Sequence, residues 1–103
     1  MTLFAGLADP TRLAIVELLA EHGELAAGEI ASHFADDMTR AGVSRHLRSL
    51  EDAGFVTVRL DAQRRLYRLN PEPFAEMDAW LGQYRKLWGA KFRALRRHLE
   101  EGS

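Results

Sequence analysis

The run RAGVSRHLRSL, residues 40–50, sets Arg40, Arg45 and Arg48 around Ser44 and His46. A guanidinium is a rigid fork of N–H donors that meets two acceptors at once, as on guanine O6 and N7 or on a phosphate. Serine bonds equally to base edges and phosphate oxygens. A second polar cluster, Gln63-Arg64-Arg65, follows in DAQRR. Such side chains suit an anionic polymer read by charge and hydrogen-bond pattern. They do not suit catalysis. Ser44 and His46 stand two positions apart, and such side chains diverge on a helix, so they make no nucleophile–base pair. There is no cysteine, glycine-rich phosphate loop or nucleophile elbow, so no enzyme activity is expected. His22, His33, His46 and His98 lack histidine partners at i+3 or i+4, so neither a metal site nor a cofactor is expected.

The arginines sit on an uneven charge distribution. The chain has 14 Lys+Arg against 15 Asp+Glu, yet residues 38–70 carry seven arginines against Glu51, Asp52 and Asp61. Residues 1–35 carry only Arg12 against five acidic groups. A positive segment in a near-neutral protein points to a defined anionic partner. With 103 residues, 47% hydrophobic, the chain is expected to fold as one small domain over residues 1–103. No apolar run approaches the roughly 20 residues needed to span a bilayer. The first residues lack the pattern of a signal peptide. A cytoplasmic protein is the expectation.

The elements that must position these groups follow from local signals. Leu3, Phe4 and Leu7 fit a short amphipathic helix. Asp9-Pro10 reads as a cap and first helical position, and TRLAIVELLAEH repeats apolar residues at helical spacing until Gly23. A third helix covers about AAGEIASHFA, with Ala26 in the cap position, a poor cap that costs about 1 kcal/mol. Thr39 caps a helix over Arg40–Asp52, with Val43, Leu47 and Leu50 as its buried stripe and Gly54 as its stop. FVTVRL alternates with Val56, Val58 and Leu60 inward, and RRLYRLN returns with Tyr67 and Leu69 on one face. This predicts a β-hairpin with a basic tip over about 56–69. After Asn70-Pro71 a long helix spans about 73–100. Its apolar positions Phe74, Met77, Leu81, Tyr84, Trp88, Phe92, Leu95 and Leu99 step by three or four, and Trp80 and Leu87 add a second edge. So small a domain has little core to cover both, so one face is expected to meet another subunit.

This order, mainly α with a small β-hairpin (α+β), is the winged helix-turn-helix arrangement. Residues 40–52 then form the recognition helix and present Arg40, Ala41, Ser44, Arg45 and Arg48 opposite the buried stripe, with Thr39 at their head. The hairpin carries Gln63, Arg64 and Arg65 to the flanking backbone or minor groove. His46 is read as partly packed or as a polar neighbour of DNA.

The segments LADPTRLAIVELL, GEIASHF, AGVSRHLRSLEDAGFV and RRLYRLN together resemble the ArsR family of bacterial transcriptional repressors, in order and spacing over about residues 3–70. The resemblance implies a homodimer that represses by occupying an inverted-repeat operator, with the long last helix used for dimerisation. Leu3, Phe4, Leu7, Trp80, Tyr84, Leu87, Trp88, Phe92 and Leu95 are the expected dimer contacts. Relatives often carry glycine in the wing turn, where this chain has DAQRR. Metal-sensing members often carry a Cys-x-Cys pair where this chain has Ala26-Ala27-Gly28, and neither alanine has a ligating side chain. The other common site of the family uses Asp-x-His and a pair of histidines on the last helix, where this chain has Asp78 followed by Trp80 and a lone His98; that helix is similar to the metal-independent, SdpR-like branch. Two other readings stay open on these residues: a winged-helix protein–protein interaction module, and a repressor released by a small molecule held among Trp80, Tyr84, Trp88 and Phe92.

Overall fold

Asp9 opens the first long helix of the computed structural model, which describes residues 2–102. Its Oδ1 accepts hydrogen bonds from the Thr11 and Arg12 amides at 2.8 and 3.2 Å, and Pro10 follows with its φ already set for a helix. Ahead of it lies α1 (Thr2–Gly6); α2 itself runs Pro10–His22 and ends at Gly23, whose φ of +83° is open mainly to glycine. A three-residue strand, β1 (Glu24–Ala26), leads into α3 (Ala27–His33). Ala26 gives α3 no side-chain cap, but Glu29 reaches back to accept the Ala26 N–H at 3.0 Å. Thr39 Oγ1 accepts from the Gly42 amide at 3.1 Å and starts α4 (Arg40–Asp52).

Strands β2 (Val56–Asp61) and β3 (Arg64–Leu69) follow, then α5 (Pro71–Glu101). Asn70 caps α5 by accepting from the Glu72 amide, and it donates to the Gly54 carbonyl at 3.0 Å. The helix therefore begins two residues earlier than the spacing of its apolar residues predicts, with Pro71 at its first position.

The sheet has three antiparallel strands in the order β1-β3-β2, where a two-stranded hairpin was expected. β3 is thus central and buries residues on both faces: Tyr67 over the core, and Leu66 between Ala26 and Arg59. The alternation assigned to β2 also needs correction. Val56 is buried and Val58 half-buried, but Leu60 is 70% exposed, because the strand runs beyond the core toward its tip.

Ile15, Leu19, Ile30, Val43, Leu47, Leu50 and Phe55 form the fully buried centre. α1 closes one side at such short range that a Cβ on Gly6 would lie 2.6 Å from Phe55 Cε2. α5 enters on the same side, placing Phe74 with its ring centroid 5.5 Å from that of Phe55. The register leaves Ala62-Gln63 as a two-residue turn at the hairpin tip, with Ala62 at φ +56°. A Cβ in this left-handed region is strained. Ala62→Gly is expected to stabilise the protein by about 0.5–1 kcal/mol, read as a higher urea midpoint at unchanged slope.

Candidate nucleic-acid interface

Burying Val43, Leu47 and Leu50 turns Arg40, Ala41, Ser44, Arg45 and Arg48 outward from α4, all of them exposed. Thr39 stands at the head of the helix with its hydroxyl engaged in the cap. His46 is half-buried on the flank. The Arg12 and Thr11 amides hold the nearby Asp9 carboxyl below the usual carboxylate range, and the positive field of His46 adds to them. The guanidinium of Arg40 leans back across the start of α3, with Nη2 3.4 Å from where a Gly28 Cβ would be.

The hairpin arginines stand differently. Arg59 forks onto Glu24 of β1 through two bonds of 2.8 and 2.9 Å, which hold the Glu24 carboxyl below its usual range and Arg59 above its own. Arg64 Nη2 meets Glu29 Oε1 of α3 at 2.9 Å. Arg65 donates to the Tyr67 hydroxyl at 3.3 Å and lies 3.7 Å from Glu51 of α4; Tyr67, ahead of Glu51, holds it above the usual guanidinium range. Among the described residues Arg40, Arg45 and Arg48 make no ion pair. Such exposed pairs add little to stability.

Two open clefts join hairpin to helix. One, of about 560 Å³, brings Arg40, Gln63, Arg64 and Arg65 against Gly28, Glu29 and Ser32. The other, of about 410 Å³, brings Ser44, Arg45 and Arg48 against Glu51, Arg65 and Tyr67. The two clusters named from sequence, which are separated by the buried strand start, therefore share one surface. The carboxylate that holds Arg64 has no local signal in the sequence: Glu29 reads as a helix-start residue, and nothing nearby announces a partner 35 positions away.

A second surface is apolar. Leu3, Phe4 and Leu7 pack half-buried against the core, and Phe4 meets Trp80 with ring centroids 5.2 Å apart. Arg12 ties α1 down by donating to the Gly6 carbonyl at 3.1 Å. Beyond Trp80, α5 leaves the domain: Tyr84, Leu87, Trp88, Phe92 and Leu95 are 41–63% exposed in the single chain, with Leu81 and Leu99 beside them. Trp80 and Tyr84 stack at 4.6 Å and Trp88 and Phe92 at 6.0 Å. Among the described residues no group of three or more His, Cys, Asp or Glu is placed to hold a metal ion, and no helix is long and apolar enough to cross a membrane.

The helix-turn-helix domain family matches residues 7–59, from the end of α1 into β2. The HTH-type transcriptional regulator Rv2034 of Mycobacterium tuberculosis is 44% identical over 78 residues, 76% of this chain and 70% of that protein. The crystal structure of the ArsR family transcriptional regulator RHA00566 superposes with a TM-score of 0.71 at 33% identity, covering 84% of this chain and 87% of the other. The chain belongs to the ArsR family. A third likeness is the solution structure of a homodimeric winged helix-turn-helix DNA-binding domain, Mb0332 of Mycobacterium bovis. Its TM-score is 0.62 at 32% identity, covering 82% of this chain and 75% of the other. The helices and three-stranded sheet of this ArsR-family protein have the winged helix-turn-helix fold. The family is one of transcriptional regulators and not of enzymes.

Proposed function

We propose that the protein is a cytoplasmic, homodimeric, sequence-specific DNA-binding repressor that occupies an inverted-repeat operator. The observation that carries this reading is the open, cationic face shared by α4 and the wing. Arg40, Arg45 and Arg48 are exposed and unpaired among the described residues, and two clefts connect them to Arg64 and Arg65. Ser44 and Arg45 lie centrally and read base edges in the major groove, with Arg48 beside them. Arg40 and Thr39, at the start of the helix, meet a phosphate, where the helix dipole favours negative charge. Ala41 offers a methyl contact. Gln63, Arg64 and Arg65 hold the flanking backbone or minor groove. His46 supports the helix from its flank.

Dimerisation joins two such faces. The exposed row on α5, with Trp80 and the α1 residues Leu3, Phe4 and Leu7 at its base, is the surface that a second copy covers. A C2 pair would set two recognition helices about 34–36 Å apart. The repressor works without a bound metal in this proposal: Ala26, Ala27 and Gly28 supply no ligating side chain.

Selection of bound duplexes from a random library, at a stated salt concentration, tests the reading. A two-fold symmetric site should emerge. Arg45→Ala should weaken it by about 10–100-fold and relax the preference at one base pair in each half-site. Stoichiometric arsenite, cadmium or zinc should leave the complex intact. No enriched sequence would overturn the proposal in favour of a protein-interaction module, and release by metal would overturn its metal-free part.

A further inference from the structure

Arg59 and Arg64 of the hairpin are held by carboxylates, while among the described residues Arg40, Arg45 and Arg48 make no ion pair. The 560 Å³ cleft shows what this means for one of them. Three guanidinium groups, Arg40, Arg64 and Arg65, line it, and Glu29 is the one carboxylate among its lining residues. Glu29 Oε1 takes the Arg64 Nη2 donor at 2.9 Å and the Ala26 N–H at 3.0 Å. An anionic oxygen that accepts from a guanidinium and a backbone amide is bonded as a phosphate oxygen is in a protein–DNA complex. Both partners are more than half exposed at their side chains, so water screens the pair and little opposes its exchange.

We propose that Glu29 is an internal stand-in for a DNA phosphate. It holds Arg64 in the extended pose the wing needs and gives it up when a backbone phosphate enters the cleft, so that its negative charge sets the strength of the wing's contact on DNA of any sequence. This rests on the reading of α4 and the wing as a DNA-binding face. The exchange conserves bonds at Arg64, carboxylate for phosphate, and leaves Glu29 with the Ala26 amide and solvent. Phosphate wins because it belongs to a polyanion whose condensed counterions are released as the guanidinium arrives. Glu24 and Glu51 do not serve in the same way. Arg59, doubly bonded to Glu24, points across the sheet to β1, and the 3.7 Å approach of Arg65 to Glu51 is secondary to its bond with Tyr67.

Glu29→Gln separates charge from shape, because a glutamine oxygen still accepts the Ala26 amide and keeps the start of α3. Binding of a random-sequence duplex is measured across a salt series for the wild type, Glu29→Gln, Arg64→Ala and the double variant. Glu29→Gln should tighten binding by about 3–10-fold at low salt. Arg64→Ala should flatten the plot of log affinity against log salt by about 0.9, one phosphate contact. In the Arg64→Ala background the gain from Glu29→Gln should fall below about 2-fold. An unchanged or weaker Glu29→Gln protein overturns the proposal, and so does an unchanged salt slope in Arg64→Ala: either makes the pair a permanent strut. An equal gain in both backgrounds overturns it too, reducing Glu29 to background charge. A wild type that binds no duplex at low salt removes the DNA-binding reading itself, and that result is seen before any variant is compared.

Discussion

Phe55→Ala is expected to destabilise the protein by about 3–5 kcal/mol, the usual cost of emptying a buried aromatic site. Phe55 is 0% exposed and the largest of the fully buried side chains. Three elements depend on it. α1 approaches it at Gly6, too closely for any side chain there. α5 lays Phe74 against it. Its own backbone is pinned at both ends, the amide donating to Leu50 at 2.9 Å and the carbonyl accepting from Asn70 at 2.9 Å, so the site cannot collapse around a smaller residue. Domains of this size have only about 5–15 kcal/mol in total, so the variant should be partly unfolded at 37 °C. Urea unfolding at fixed protein concentration checks this, since a dimer's stability depends on concentration. Leu60→Ala, five residues further along in β2 but 70% exposed, should change stability by less than about 0.5 kcal/mol. A small loss at Phe55, or equal losses at both positions, would contradict this account of the core.

The second large effect is expected on α5. Trp88 and Phe92 stand four residues apart on one face, 52% and 63% exposed, with their ring centroids 6.0 Å apart and Lys91 Nζ 5.4 Å from the Trp88 ring centroid. Trp88→Glu combined with Phe92→Glu should leave the domain folded, because neither residue belongs to the core cluster. In a dimer the two carboxylates would be desolvated against apolar partners, which costs several kcal/mol per ion. The variant should therefore sediment as a monomer at concentrations where the wild type sediments as a dimer. Its affinity for the selected operator should fall by about 100-fold or more, because the second half-site no longer binds as part of the same molecule. A variant that stays dimeric would remove Trp88 and Phe92 from the interface and leave it to the Trp80 and Leu87 edge of α5.

Much of this architecture is legible before any coordinates. Val43, Leu47 and Leu50 are 0–1% exposed, as their i, i+4, i+7 spacing requires, because helical periodicity is a local property. Asp9, Thr39 and Gly23 mark helix ends for the same reason. What escapes is set by distance along the chain. Alternation in β2 says which face Leu60 shares with Val56, but not that the core stops short of it. β1 has three residues, too few for any period, and exists because β3 offers it an edge. Phe55 is a lone aromatic after Gly54 until α1 and α5 close over it. On the candidate interface the arginines are visible from their spacing on α4 and the wing. Their glutamate partners are not, since each lies on another element. The strain at the wing turn is half visible: a glycine missing from the turn points to it, and φ at Ala62 locates it.

β3 is hydrogen-bonded along both edges, to β2 on one side and to β1 on the other. A wing stitched only to its own return strand would flap about its base. Here the chain just ahead of α3 is woven into the same ribbon, and Glu24 and Glu29 clasp Arg59 and Arg64 from either end of that short segment. The base of the hairpin and the chain leading into α3 therefore belong to one sheet, while among the described residues the tip beyond residue 66 is ion-paired to α3 only through the exposed Arg64–Glu29 pair. A displacement of residues 24–26 is carried into β3 by the ladder they share, and the tip is left free to adjust to whatever it meets.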